Sequence, residues 1–436
     1  MGCQAEGYSV HHLFDAALSA GWTLVGYRLP GAQRVYWTIP KDPWPAVWSN
    51  QRGPGFVLAP FSYPTSHAHW IARDFSFEGV QSLGDKWRDL PDPLRSALQS
   101  IDLTAEADSN PVSTRLKSVY EKDHNAAVIQ NNLGVHGRRS VPDRVAPHAA
   151  ALNQVDRTQY EMQVGAALKA IETGRIEKVV LARSEAHAWP SGLHPVDFVG
   201  RLCIDYPQAF VNLVLHPEWG LWMGATPELL LEMEPVGDRN IASTGAQPMR
   251  HLRSMALAGT LAIQGQTDDW GDKEIREQQV VDDYIAHSWK SQVRNFRRSA
   301  RNSLQAGPVQ HLCTLLEGES DRPLEELVAQ LHPTPAVGGW PKSEALQVIA
   351  EIEQGSRQLY GGFIGPVESP DEARLFVNLR TLQLRNAQAY LHMGCGILGG
   401  SQPYLEWEET VLKSKTLLRH FICQNPMDVS SVDEVE

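Results

Sequence analysis

Glu406-Trp-Glu-Glu-Thr-Val-Leu-Lys413 is the stretch from which the rest of the chain can be read. Its carboxylates Glu406 and Glu409 stand three residues apart, a spacing that puts both on one face of a helix. The same spacing recurs at Glu274 and Glu277, inside Asp272-Lys-Glu-Ile-Arg-Glu-Gln-Gln-Val-Val281. Two such faces brought together offer acidic oxygen donors to a hard divalent cation such as Mg2+. One Glu-x-x-Glu alone carries little weight, because a charged helical face is usually just solvated. The surrounding sequence has to decide.

Composition narrows the classes first. The chain has 436 residues, 42% hydrophobic and 21% charged, ordinary for a soluble globular enzyme. That length allows two or three domains, or one large mixed α/β unit. A net charge of −12 and a pI near 5.7 argue against a nucleic-acid partner. A small anionic substrate stays compatible, since a few cations or a metal reverse the field locally. Cys3, Cys203, Cys313, Cys395 and Cys423 are odd in number, scattered and free of any Cys-x-x-Cys pair. That usage fits reduced thiols, not a disulfide framework or a zinc site. No apolar run approaches the length of a membrane span, and no basic and apolar leader opens the chain. Met1-Gly2-Cys3 hints at lipidation, but Glu6 stands where myristoylation needs Ser or Thr. A cytoplasmic location without a membrane partner is expected.

Residues 1–150 alternate short strand-like pieces, such as 34–39 and 55–59, with Pro and Gly punctuation. His67 and His69 could share a strand face, but two histidines without a third ligand are a structural or exposed pair. Residues 140–157 look like a connector. Tyr160, Val164, Ala167 and Ile171 then recur at helical spacing up to Gly174. Further helices are predicted at 274–290, 323–330, 344–354 and 405–420. Strands are predicted at 178–183, 209–215, 220–223, 374–382 and 389–393. The acidic end, 425–436, is expected to fray.

Several residues could carry chemistry. Lys178 opens an apolar strand, where burial would lower its pKa enough for it to act as a base; an edge-strand lysine that blocks aggregation is the plainer reading. Glu228 follows a Gly/Pro turn and leads into Leu229-Leu230-Leu231, a setting that raises a carboxyl pKa and makes an acid. An exposed turn glutamate is its alternative. His332-Pro-Thr-Pro-Ala-Val-Gly-Gly339 is a stiff loop able to line a pocket. Gly394-Cys-Gly396 offers backbone N–H groups to an anion, with no full dinucleotide or P-loop fingerprint around it. Arg380 and Lys413 are candidate carboxylate partners, or surface ion pairs.

The order of these blocks says more than any one of them. Lys178-Val-Val-Leu-Ala-Arg, Gly224-Ala-Thr-Pro-Glu-Leu-Leu, Ala256-Leu-Ala-Gly-Thr and Glu-x-x-Glu precede Val309-Gln-His-Leu and His332-Pro-Thr-Pro-Ala. Arg357-x-x-Tyr360-Gly-Gly, Arg380, Gly394-Cys-Gly and Glu406-Trp-x-Glu-Thr-x-x-Lys follow. Over roughly residues 155–423 this series resembles the chorismate-binding enzymes, which include isochorismate, salicylate, anthranilate and aminodeoxychorismate synthases. The resemblance implies one large α+β domain of the anthranilate synthase component I type, with two packed antiparallel sheets flanked by helices. Residues 1–150 would be a divergent half of that body, and 151–424 its catalytic region.

It further implies Mg2+ held by Glu277 and Glu409, with Glu274 and Glu406 in support. Chorismate would be the substrate, with Tyr360, Arg380, Gly394 and Lys413 receiving its enolpyruvyl carboxylate. Gly259, Thr260 and His311 would line its ring. Ala258 stands where aminodeoxychorismate synthases resemble one another in a lysine nucleophile, and the Asp-Leu-x-Arg-Asn-Asp block of aminating members is absent. Ala336 resembles the isochorismate synthases, an isomerase class in which Lys178 would activate water and Glu228 would protonate the leaving hydroxyl. A salicylate synthase, which also eliminates pyruvate, is the nearest alternative, then anthranilate synthase component I. A non-catalytic binder is disfavoured by the retention of Lys178, Glu228, Glu277 and Glu409. A monomer is expected, with a homodimer as the other option. Two departures stand out: Gln278 where the family reads His, and a long stretch between Glu228 and Gly259, with Pro248–Ser254 expected as an enlarged loop.

Overall fold

Long β-branched and leucine-rich runs between turn residues build two antiparallel sheets. A computed structural model describes residues 8–48, 53–62, 67–79, 83–101, 154–237, 248–263 and 270–422. The first sheet runs Gly339–Trp340, Lys178–Ala188, Gln388–Leu398, Thr381–Arg385, Gly220–Thr226, Phe210–His216, Leu24–Arg28, Tyr36–Ile39 and Phe75–Glu78. The second runs Arg294–Arg298, Val309–Ser320, Arg250–Ala262, Leu229–Pro235, Glu372–Val377, Phe363–Ser369, Gly55–Ala59, His69–Ala72 and Ala46–Val47, with Asn302–Ala306 beside Val309–Ser320. Strands from the first hundred residues therefore lie in both sheets. The expected boundary at 150 and the acidic tail fall outside the described residues, as does most of the 140–157 connector.

The sheets face each other across an aromatic layer. Phe210 of the first sheet stacks on Phe376 of the second, centroids 4.3 Å apart and nearly parallel at 5°. Val25, Val214 and Trp222 meet Phe56, Leu58 and Ile364 around them. Helices close the outer faces. Val10–Ala20, Asp92–Gln99 and Pro195–Asp205 cover the first sheet, and Asp272–Trp289 and Leu324–Leu331 the second. Arg157–Glu172 and Lys342–Ile352 pack over the ends of the Lys178 and Gln388 strands. Arg157–Glu172 begins on a capping box, Asp156 accepting from Gln159 N–H, and Gly174 follows it with φ +73°. Among the described residues no helix is long and apolar enough to cross a membrane.

Two sequence expectations are corrected. The run 374–382 is not one strand: Glu372–Val377 belongs to the second sheet and Thr381–Arg385 to the first. The chain changes sheet at 378–380, where Arg380 adopts φ +48°, a turn that no glycine announces. Pro248–Ser254 is not a surface loop. From Arg250 it is part of a strand paired with Val309–Ser320, and Arg250, Leu252 and Ser254 are buried.

Truncating Phe376 to alanine removes the centre of the inter-sheet layer. The expected cost is about 3–5 kcal/mol, read from urea unfolding. A loss below about 1 kcal/mol would mean the sheets are held together elsewhere.

Candidate active site

The glycines of the Gln388–Leu398 strand open the site. Gly394 and Gly396 alternate onto one face of that strand. A Cβ on Gly396 would stand 2.1 Å from Glu277 Oε1 and 3.0 Å from Lys178 Cε; one on Gly394 would stand 3.1 Å from the Tyr360 hydroxyl. The two glycines open onto a cleft of about 70 Å3. Glu228, Gly259, Thr260, Glu277, His311, Ala336, Tyr360, Arg380, Gly394 and Lys413 all line it, and Lys178, Glu274, Glu406 and Glu409 stand outside that lining.

Lys178 lies between two strands, Gly339–Trp340 and Gln388–Leu398, and has no solvent exposure. It is not an edge lysine. Its Nζ is 3.2 Å from Glu277 Oε1, a contact too poorly aligned to count as a directed hydrogen bond. Burial pushes its pKa down, against the upward pull of Glu277 and then Glu228. Glu228 is buried too, its backbone tied to Val377 N–H at 3.0 Å and to the Thr226 hydroxyl at 3.3 Å. Burial pushes its carboxyl up to about 8, with Lys178 and Lys413 opposing. A buried amine biased toward neutrality and a buried carboxyl biased toward protonation have the properties that a base and an acid need.

Three of the four paired glutamates each meet one lysine. Lys178 stands by Glu277, Lys413 binds Glu409 at 2.6 Å, and Lys273 binds Glu406 at 2.5 Å. Lys413 Nζ also donates to Gly394 O at 2.9 Å, which ties the Pro403–Leu418 helix to the cleft floor. Burial pulls Lys273 down, yet Glu406, Glu409 and Glu277 together hold it above the ordinary lysine value. Glu406 is raised by burial and by Glu409. Burial also works to raise Glu409, but Lys413 and Lys273 bring it below the usual range. Glu274 is half-buried; its carboxylate folds back over Gly271, while its backbone approaches Gly259, whose φ is +72°. Any Cβ on Gly259 would come 2.9 Å from Glu274 O, so glycine is required there twice over.

This donor set fits a hard divalent cation. All the donors are carboxylate oxygens, and one buried oxygen of Glu406 has no hydrogen-bond partner. The tight grouping of metal-ligating atoms among the described residues lies elsewhere, at His11, His194 and Asp197. There His194 Nδ1 accepts from Val196 N–H at 3.1 Å, so its Nε2 carries the proton and is not a ligand.

A second chain of contacts fixes the cationic wall. His311 Nδ1 lies 2.7 Å from Gly259 O, so it must be the donor, and Nε2 accepts from Arg380 at 2.9 Å. Burial, then the cations Arg380 and Lys413, lower His311 to about 3, so it stays neutral. Arg380 also donates to the Thr416 hydroxyl at 2.6 Å. Arg357 donates to Val180 O and Val337 O, both at 2.7 Å, and pairs with Glu353, which locks the 332–339 loop against the Lys178 strand. Gln278 is fully buried and donates to Thr314 Oγ1 at 2.9 Å, packing the helix behind Glu277. Sequence reasoning assigned no role to Lys273, Arg357 or His392; the charged neighbours of Glu274 and Tyr360 were the available signal for the first two. His67 is exposed, and His69 sits edge-on to His216 and Trp219, away from the site.

Glu228 gives a stability test with a definite sign. Its folded-state pKa is raised, so its contribution is intact below about 4.5 and is lost as pH climbs through about 8. Glu228→Gln should therefore gain stability relative to the parent between pH 5 and pH 9 in urea unfolding. An equal difference at both pH values would place Glu228 in water.

The sequence model described as chorismate binding enzyme matches residues 61–422. The isochorismate synthase EntC of Escherichia coli strain K12 is 28% identical over 358 residues, 76% of this chain and 88% of its own length. The structure of MenF, the menaquinone-specific isochorismate synthase of Escherichia coli, aligns with a TM-score of 0.64 at 18% identity, covering 93% of this chain and 91% of that one. Anthranilate synthase component I from Streptococcus pneumoniae aligns at 0.54 and 16% identity over 90% of this chain and 89% of its own, so the fold is theirs. With the matched span enclosing every residue that lines the cleft, the chain belongs to the chorismate-binding enzyme family.

Proposed function

We propose that this protein is an isochorismate synthase. The observation that carries the reading is the buried pair Lys178 and Glu228, an amine and a carboxyl biased by burial toward their neutral forms beside one cationic cleft. The names of its relatives point the same way. Chorismate is a dianion, and Arg380 and Lys413 offer charge and hydrogen bonds to its enolpyruvyl carboxylate, with Tyr360 and the Gly394 backbone beside them. Mg2+ bound by Glu277 and Glu409, with Glu274 and Glu406 in support, would supply positive charge for the ring carboxylate.

Lys178 takes a proton from a water as its oxygen bonds to ring C2. The double bonds shift, the C4–O bond breaks, and Glu228 gives its proton so that the C4 hydroxyl leaves as water. The proton gained by Lys178 balances the one lost by Glu228, so each turnover is a net isomerisation. Each proton transfer is worth about 10²–10⁴ in rate. Ala336 on the cleft wall leaves room for a water, and Ala258 removes a competing amine nucleophile.

Incubation with chorismate and Mg2+, followed by chromatography, should give isochorismate without pyruvate. Salicylate with pyruvate, or anthranilate in the presence of ammonia, would overturn the assignment. Because Glu228 must be protonated, kcat/KM should fall as pH rises through about 8. Lys178→Ala and Glu228→Gln should both lose turnover. Ala336→Thr should slow hydration at least tenfold, about 1.4 kcal/mol in barrier, by filling the water's place. A parent-like rate in Ala336→Thr would remove the reason for preferring water as the nucleophile.

A further inference from the structure

His392 sits where the mechanism leaves a wall unexplained. It lies on the Gln388–Leu398 strand, opposite Thr381 on one side and Ser184 on the other. Strand alternation puts it on the same face as Gly394 and Gly396, the face that forms the cleft floor. The two glycines leave the floor open, and His392, which also lines the cleft, closes its end. Its ring is clamped between Trp222, with centroids 5.0 Å apart at 15°, and Tyr360, at 5.7 Å and 22°. Stacking on both faces fixes the plane of the imidazole and leaves only its edge for polar contacts.

That edge is unsatisfied. His392 is 4% exposed, and neither Nδ1 nor Nε2 has a hydrogen-bond partner. A neutral imidazole always carries one N–H donor and one acceptor, and burying both without partners is costly. A phenylalanine would fill the same slot at lower cost. Buried polar groups left unpaired at a cleft wall are a specificity device: the ligand that pairs them is favoured over one that does not.

We infer that His392 is a substrate-binding residue, its clamped ring edge hydrogen-bonding the enolpyruvyl group of the substrate beside Tyr360. The inference rests on the chorismate reading of this cleft. Burial keeps the ring neutral, so it contributes direction and not charge. Arg380 and Lys413 supply the charge, and His392 orients the side chain they attract.

The test compares His392→Phe, which keeps the stack and removes both nitrogens, with His392→Gln, which keeps a donor and an acceptor. Each is read by the melting temperature, by KM and kcat for chorismate, and by calorimetric binding of chorismate in a Glu228→Gln background. His392→Phe should melt at or above the parent, while KM and the dissociation constant rise at least tenfold and kcat changes by less. His392→Gln should recover part of the binding. Binding within twofold of the parent in a folded His392→Phe protein would overturn the inference, as would a lower melting temperature with unchanged KM, the mark of a purely structural ring. A parent that binds chorismate without converting it would sink the proposed function alone, because the calorimetric comparison needs no turnover.

Discussion

Lys178 is buried on every side, and an amine can be kept there only if neighbouring groups repay part of its lost hydration. Glu277 does so from the Asp272–Trp289 helix, at 3.2 Å. That one contact dictates much of the architecture. The helix must lie across the end of the Gln388–Leu398 strand, and position 396 must be a glycine, because a Cβ there would collide with both partners. Gln278 is buried behind the glutamate and anchors the helix through Thr314. The sheets supply a rigid frame in which an amine, a carboxylate and a carboxyl can be held out of water.

The same logic extends outward as alternating charge. Lys413 and Lys273 each stand as a cation against a glutamate, and Lys178 lies beside a third, Glu277. Arg380 faces the cleft, hydrogen-bonded to a neutral His311 and to Thr416, with Glu409 acting on it only through space. A site arranged this way binds anions without collapsing onto its own acids. It also explains how a protein of net charge −12 can receive a dianionic substrate.

Much of this was legible in sequence, for identifiable reasons. The helices bearing Glu274, Glu277, Glu406 and Glu409 were marked by the three-residue spacing of their carboxylates, and they form at Asp272–Trp289 and Pro403–Leu418. Lys178 and Glu228 could be placed at strand starts, but choosing between a buried and an exposed role needed the strands on either side. The break at 378–380 was invisible because the alternation of polar and apolar residues continues through Val377-Asn378-Leu379-Arg380, and Arg380 takes the left-handed conformation without a glycine. The strand Arg250–Ala262 was hidden because burial alternates along it while hydropathy does not: Arg250 and Ser254 take inward positions on either side of Leu252. Lys273 and His392 escaped for a related reason: a lysine beside glutamates and a histidine in a strand look ordinary until their surroundings are known.

The account stands on water being the nucleophile that Lys178 activates, and oxygen labelling tests this most directly. A single forward turnover of chorismate in H2-18O should place the label in the C2 hydroxyl of isochorismate, leave recovered chorismate unlabelled at C4, and fail altogether in Lys178→Ala. Isochorismate formed without label would mean that the C4 hydroxyl migrates within the molecule, and would contradict the roles given to Lys178 and Glu228.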